Sequence, residues 1–259
     1  MFSRIANMFR VPDLRNKILF TLFMLALYRV GAFIPAPGID TSAVQALREA
    51  SDEQGGILAF VQLFSGGSLT TFALFALGIF PYITASIIMQ VLGVVVPRIE
   101  QWQQQGAVGQ RKITQWTRYM TVAIAVIQST SFAFLFNNGS AVGGGFVLMP
   151  KFNVGTVSLV VLTLTAGTAL LMWMGELITQ RGIGNGMSLI ITASIVSQFP
   201  AQFSALQQNE GWAAVVAFIV ILAIALLGIV FVEQGQRRIP VQFAKRVVGR
   251  KMYGGQSTY

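Results

Sequence analysis

From Leu58 to Pro97 the chain reads LAFVQLFSGGSLTTFALFALGIFPYITASIIMQVLGVVVP, almost devoid of charge. A helix rises about 1.5 Å per residue, so this stretch would extend roughly 60 Å. The hydrocarbon core of a bilayer is only about 30 Å thick. One straight crossing is too short to use the stretch up, and two complete crossings are forbidden if its ends lie on opposite sides. The remaining solution is one full helix, about Phe72 to Val96, preceded by a segment that enters the protein without crossing. The break belongs at Ser65-Gly66-Gly67-Ser68, where two glycines between small hydroxyls end a continuous apolar helix. Non-helical backbone at membrane depth survives only where protein or water surrounds it. The sequence therefore predicts a cavity on the outer side, partly filled by Phe60 to Thr71.

Composition supports a membrane setting. The 259 residues are 54% hydrophobic and 10% charged, with mean hydropathy +0.66, whereas soluble proteins carry about 25% charged residues. This is the profile of a polytopic membrane protein. Without cysteine there are no disulfides or thiolate sites, and without histidine there are no Ser-His triads, HExxH zinc sites or histidine proton relays. Met1 to Asp13 reads as a short amphipathic segment, with Phe2, Ile5 and Phe9 on one face, suited to the membrane interface. Six crossings follow: Ile18–Ala36, Phe72–Val96, Tyr119–Phe136, Val154–Gly175, Met187–Phe203 and Trp212–Val232. The first is too long, and too closely followed by further spans, for a cleaved signal peptide.

The connecting charges test this map. Arg4, Arg10, Arg15, Lys17, Arg98, Arg111, Lys112, Arg118, Arg181, Arg237, Arg238, Lys245, Arg246, Arg250 and Lys251 all fall on one side. They make up fifteen of the eighteen basic residues. Arg48 and Lys151 fall on the other side, with Asp40, Glu49, Asp52, Glu53 and Glu210. The basic side is expected to be cytoplasmic, with the N-terminus inside. Leu58 then starts outside and Pro97 ends inside, the parity that the length argument needs.

No Asp, Glu or Lys lies deep in any span, which disfavours an ion-coupled pump and removes the aspartates of an intramembrane protease. Arg29 is the one embedded charge, expected to snorkel or to meet helix-end carbonyls. Thr84, Gln90 and Gln128 are polar groups within spans, each expected to face a helix partner or water. They fit ordinary helix–helix glue and equally a polar seam between helices that part. Ile79 and Ile83, and again Met187 and Ile191, stand four apart and stack on a helical face; that spacing by itself means only core or lipid contact. The turn RGIGNG lacks the strand that a dinucleotide fingerprint requires, and Asn138-Gly139-Ser140 is a lone glycosylation sequon. In RRIPVQFAKRVVGRK, six basic residues interleave with apolar ones, and the alternation IPVQF predicts an extended, hairpin-like excursion. Positive-inside signalling or contact with anionic lipid would account for the charges. A long basic loop with apolar teeth also suits docking to a cytoplasmic partner, ribosomal RNA through its phosphates among them.

Five stretches in order, YRVGAFIPAPGID, LFSGGSLTTFALFALGIFPYITASIIMQ, QRKITQWTRY, GELITQRGIGNGMSLII and GQRRIPVQFAKRVVGRKMYGGQSTY, resemble the SecY family. Its members are channel subunits of the bacterial protein-translocation machinery. The resemblance covers essentially the whole chain and implies an all-α polytopic fold, two five-helix halves related by inverted topology. This chain would hold one half plus a sixth span. It would comprise an amphipathic segment (1–17), a five-span half (18–203) with a re-entrant plug at about 58–75, a sixth span with its external connection (204–233) and a basic docking loop (234–259).

The resemblance further implies that Phe60, Leu63, Phe64, Ser65, Gly66, Gly67, Ser68, Leu69 and Thr70 belong to the plug. An aliphatic pore ring would fall on Ile79, Ile83, Met187 and Ile191, although isoleucine is more usual than Met187 at its position. Thr84 and Gln128 would join the polar cluster of a lateral gate. Arg237, Arg238, Lys245, Arg246, Arg250 and Lys251 would dock the SecA motor or the ribosome, with Arg246, Arg250 and Lys251 as main contacts. Implied partners are SecE, SecG, signal sequences, unfolded secretory polypeptides and membrane lipid, anionic lipid included. No enzymatic activity, cofactor or metal is implied, and the location is the bacterial inner membrane. A half of a small-solute transporter and a non-channel receptor scaffold are the alternatives.

Overall fold

A computed structural model describes residues 11–39, 65–68, 72–137, 152–236, 240–242, 246–248, 251–253 and 256–258. The chain divides into two compact units, Met1–Phe199 and Pro200–Tyr259.

In the first unit, α1 (Pro12–Gly31) starts with proline in its first turn, where a missing N–H costs nothing. It then buries Thr21, Met24, Tyr28 and Gly31 on one stripe. After residues 72–79 come α2 (Phe80–Val95) and α3 (Pro97–Gln104), bent from each other by 100°. Val96 between them is extended, at φ −102° and ψ 111°, because the ring of Pro97 disfavours the helical region for the residue before it. Next are α4 (Ala107–Asn137), α5 (Val154–Arg181) and α6 (Gly186–Val196). Asn153 caps α5 by accepting from the Val154 N–H at 2.8 Å. Among the described residues, three helical segments are long and apolar enough to cross a membrane: Ala107–Leu135, Val154–Arg181 and Gly186–Glu233. The bent pair α2–α3 passes the same test as a broken span.

Two apolar clusters hold this unit together. One joins Met24 and Tyr28 of α1 to Phe75 and Ile79, to Leu171, Met174 and Ile178 of α5, and to Met187 and Ile190 of α6. The other packs Ala76 and Leu77 against Ala125 and Ala133 of α4 and Val160 and Leu164 of α5. Helix α5 contributes to both.

Three sequence-derived boundaries move. The second span was expected to be helical from Phe72, but α2 begins at Phe80. Pro81 would drive its ring into the carbonyl of Leu77 in a continuous helix, so the helix can only start next to it. The first span was expected to reach Ala36, but α1 ends at Gly31. The backbone freed by both changes is paired. Residues 34–36 and 72–74 pair with each other: Pro35 bridges Ala73 antiparallel, Ala36 N–H donates to the Phe72 carbonyl at 2.8 Å, and Leu74 N–H donates to Ile34 at 2.8 Å. Backbone that leaves both helices is thereby satisfied inside the protein. The third change is at the fifth span, where α6 stops at Val196 and a new helix starts at Phe199. Pro200 is again the reason, since its ring excludes a helical carbonyl at Val196.

The second unit contains α7 (Phe199–Glu233) from Pro200 onward, kinked at Gly211, whose φ of 81° is non-helical. Its hairpin ladders are β1 (Pro240–Gln242) with β4 (Gln256–Thr258), and β2 (Arg246–Val248) with β3 (Lys251–Tyr253), both antiparallel. The alternating stretch IPVQF is thus extended where it is described. The ladders differ by one residue in register, Pro240 opposing Thr258 but Arg246 opposing Tyr253.

Candidate functional site

The glycine turn lies inside the first unit. Ser65 and Ser68 are buried, and Ser68 N–H closes the turn on the Ser65 carbonyl at 3.2 Å. Gly66 and Gly67 sit at φ 64° and 83°, a conformation that side chains with a Cβ rarely adopt. A Cβ on Gly66 would also press against the Tyr28 hydroxyl of α1 and the Ser194 side chain of α6. The turn is wedged between two helices. Arg29 donates from Nη1 to the Gly66 carbonyl at 3.4 Å and lies over the Phe33 ring, 5.2 Å from its centroid. The embedded charge thus meets a carbonyl of the broken segment. Ala73 N–H donates to the Ser68 carbonyl at 3.0 Å, tying the turn to the next segment. Phe60, Leu63, Phe64, Leu69 and Thr70 lie outside the described residues.

The aliphatic residues singled out in the sequence come together. Ile79 and Met187 are buried members of the first cluster, 5% and 8% exposed, and Ile83 and Ile191 are half-buried against it. Ile79 occupies the position just before α2, so the four-residue stack with Ile83 begins at the helix entrance: Ile83 N–H donates to the Ile79 carbonyl at 3.0 Å. Met187 is seated by a close helix crossing. A Cβ on Gly175 of α5 would overlap Met187 Sδ, and one on Gly186 would overlap the Gly175 carbonyl. Tyr28 links this cluster to the glycine turn. Its ring stacks on Phe75 at 5.8 Å, and its hydroxyl is hydrogen-bonded to Ser194.

The motif RGIGNG proves to be a helix start. Asn185 Oδ1 accepts from Met187 N–H at 3.1 Å and from Ser188 N–H at 3.4 Å, capping α6. Thr179 Oγ1 accepts from Gly186 N–H at 2.9 Å. Thr21 of α1 accepts from Ile183 N–H at 3.2 Å. These bonds fix the loop to α1 and α5 and so fix where α6 presents Met187 and Ile191. Neither threonine stood out in the sequence.

The polar pair is less closely joined. Gln128 is half-buried on α4 and lines a cleft of about 340 Å³ with Ala76, Leu77, Phe80, Ser131 and Phe132. Thr84 is half-buried on α2 and is not among that cleft's lining residues. Gln90 is exposed.

An ion pair that the sequence reading missed joins α4 to α5. Arg118 Nε donates to Glu176 Oε1 at 2.7 Å, and Nη2 donates to Oε2. Its signal was available: the topology put both residues at the same membrane boundary on consecutive spans. In the basic segment after α7, Arg246 and Lys251 occupy β2 and β3, with Arg246 opposite Tyr253 and Lys251 opposite Val248. Arg237, Arg238, Lys245 and Arg250 lie outside the described residues.

Broken helices whose irregular backbone is buried against other helices define a polytopic α-helical membrane protein, with a buried glycine turn between two of its helices. Comparison with known proteins then gives the family. The family model described as SecY matches residues 73–259. The protein translocase subunit SecY of Mycobacterium tuberculosis (strain ATCC 25618 / H37Rv) is 49% identical over 262 residues, covering 100% of this chain and 59% of the relative. The Micrococcus luteus subunit is 49% identical over 259 residues, with the same coverage. The chain belongs to the SecY family, and it spans about 59% of the length of these curated relatives. A solved structure described as a protein conducting channel shares the fold at TM-score 0.55 and 22% identity, over 93% of this chain and 52% of that one. A SecY structure concerned with the plug domain gives TM-score 0.56 and 20% identity, over 92% and 52%.

Proposed function

We propose that this chain forms one wall of a protein-conducting channel that passes unfolded secretory polypeptides across the bacterial plasma membrane and releases apolar segments sideways into lipid. The observation that carries the reading is the shared cluster of Ile79, Ile83, Met187 and Ile191, tied through Tyr28 to a buried glycine turn. Aliphatic side chains seal a narrow waist by dewetting and yield to a passing chain without binding it. The half-buried rim, Ile83 and Ile191, is the part open to such a chain. The segment containing residues 65–68 acts as the plug that supports the seal. The cleft lined by Gln128, together with Thr84, belongs to the wall that parts as a lateral gate.

The basic loops face the cytoplasm and the N-terminus is inside. The hairpin bearing Arg246 and Lys251 docks the SecA motor or the ribosome. Arg237, Arg238, Lys245 and Arg250 share that task, and SecE and SecG complete the channel. Energy comes from the docked partner, since the reading assigns the chain no catalytic residue, cofactor or metal.

The test is a stalled secretory polypeptide in the full-length channel, with a photoreactive probe at position 83. Crosslinking to the nascent chain is expected. A small-solute transporter or a receptor scaffold predicts none, and its absence would overturn the channel reading.

A further inference from the structure

Helices α4 and α5 carry two cavities along one seam. At the end nearer Arg181, a cleft of about 360 Å³ is lined by Arg118, Met172, Trp173, Glu176, Leu177 and Gln180. On the adjoining turns, a groove of about 370 Å³ is lined by Val122, Val126, Leu162, Ala166 and Ala169, among others. The residues fall on one stripe. On α4, Arg118, Val122 and Val126 are four apart; on α5, Leu162, Ala166, Ala169, Trp173, Glu176 and Gln180 are three or four apart. The seam is therefore charged at one end and mostly apolar along the rest, where Ser158 and Thr165 are its only hydroxyl-bearing lining residues.

From Ser158, the far end of the groove, to Ala169 the helix rises roughly 16 Å, the full hydrocarbon depth of one bilayer leaflet. Leu162 and Trp173 are 69% and 55% exposed. An exposed tryptophan at the charged end of a span suits the headgroup level.

The charges at the polar end select among headgroups. Arg118 and Glu176 form a bidentate pair that uses Nε and Nη2, leaving further guanidinium N–H donors and one lone pair on each carboxylate oxygen. Their side chains are 44% and 16% exposed. A headgroup at this cleft meets a cation and an anion side by side. A purely anionic headgroup gains from Arg118 and is repelled by Glu176. A phosphate tethered by two carbons to an ammonium satisfies both.

We propose that the α4–α5 seam is a binding site for one phosphatidylethanolamine molecule. Its phosphate is held by Arg118, its ammonium by Glu176 and the Gln180 side-chain oxygen, and one acyl chain lies along Val122, Val126, Leu162, Ala166 and Ala169. The site needs only that α4 and α5 cross the membrane, and does not depend on what the channel conducts.

The experiment is native mass spectrometry of the full-length protein released from nanodiscs of mixed dioleoyl phosphatidylethanolamine and dioleoyl phosphatidylglycerol. Wild type is compared with Ala166→Phe, which fills the groove from an exposed position, and with Ala166→Ser as a size control. The wild type and Ala166→Ser are expected to retain one phosphatidylethanolamine in preference to phosphatidylglycerol. Ala166→Phe should lose that retention, because its ring takes the space of the acyl chain and removes its packing against α4 and α5, with an unchanged thermal midpoint. Equal retention by wild type and Ala166→Phe would overturn the site. Preferential retention of phosphatidylglycerol would overturn the charge argument. A photoreactive residue at position 166 that captures a polypeptide instead of lipid would assign the groove to a partner's helix and sink the proposal.

Discussion

Burial separates the two isoleucines of α2, so truncating each should have a different consequence. Ile79 is surrounded by Phe75, Leu171, Met174 and Ile178 in one cluster, whereas Ile83 packs only on its rim. In a membrane the usual transfer contribution is small, because lipid is as apolar as the protein interior; what remains is packing. Ile79→Ala leaves a cavity on the order of 80 Å³, and at about 24 cal/mol per Å³ this costs about 2 kcal/mol. At the rim, neighbours or lipid relax into the space, and Ile83→Ala should cost about half as much. If Ile83 borders the conducting path, the order reverses for leak: Ile83→Ala passes more ions through the resting channel. The assay is paired, thermal denaturation of the full-length channel in detergent and ion conductance in a planar bilayer. Ile79→Ala with an unshifted midpoint would refute the packing argument. A leak from Ile79→Ala exceeding that from Ile83→Ala would refute the assignment of the rim to the path.

Other perturbations address the supports of the cluster. Gly175→Val should displace Met187, because a Cβ already overlaps Sδ, and lower the denaturation midpoint; adding Met187→Ala should recover part of the loss. Asn185→Ala removes the acceptor that caps α6 and should cost about 1 kcal/mol, while Asn185→Asp should cost much less, both read from the same melts. Reversing one charge of the Arg118–Glu176 pair should destabilise by about 1 kcal/mol, discounted for the exposure of Arg118. The double reversal, Arg118→Glu with Glu176→Arg, should recover most of it in a double-mutant cycle.

The parts of this fold that were legible in the sequence are those set by length, parity and local chemistry. The apolar run from Leu58 to Pro97 could not be a single helix, and a glycine turn buried between α1 and α6 is what the structure has there. Asn185 stands out in the sequence only as part of the RGIGNG turn, yet it caps α6. The extended alternation of IPVQF was readable. Pro81 and Pro200 were equally legible but were overruled by hydropathy, which scores proline inside an apolar stretch as a minor defect when the helix must in fact restart beside it. Less accessible were the contacts that Thr21 and Thr179 make with the loop before α6. Threonine in a span carries no periodic signal of its partner.

The pairing of residues 34–36 with 72–74 is the feature that local sequence could not reveal. Hydropathy alone would extend α1 through Ala36 and start α2 at Phe72, which leaves the intervening chain joined to two rigid helices. Instead each helix gives way to irregular backbone, and residues 34–36 hydrogen-bond to residues 72–74. The stretch between them is therefore closed into a loop at its base. The described turn is thus anchored on both sides, through the Ser68 carbonyl to Ala73 and through the Gly66 carbonyl to Arg29 at the end of α1, and its Gly66 lies against Tyr28 and Ser194.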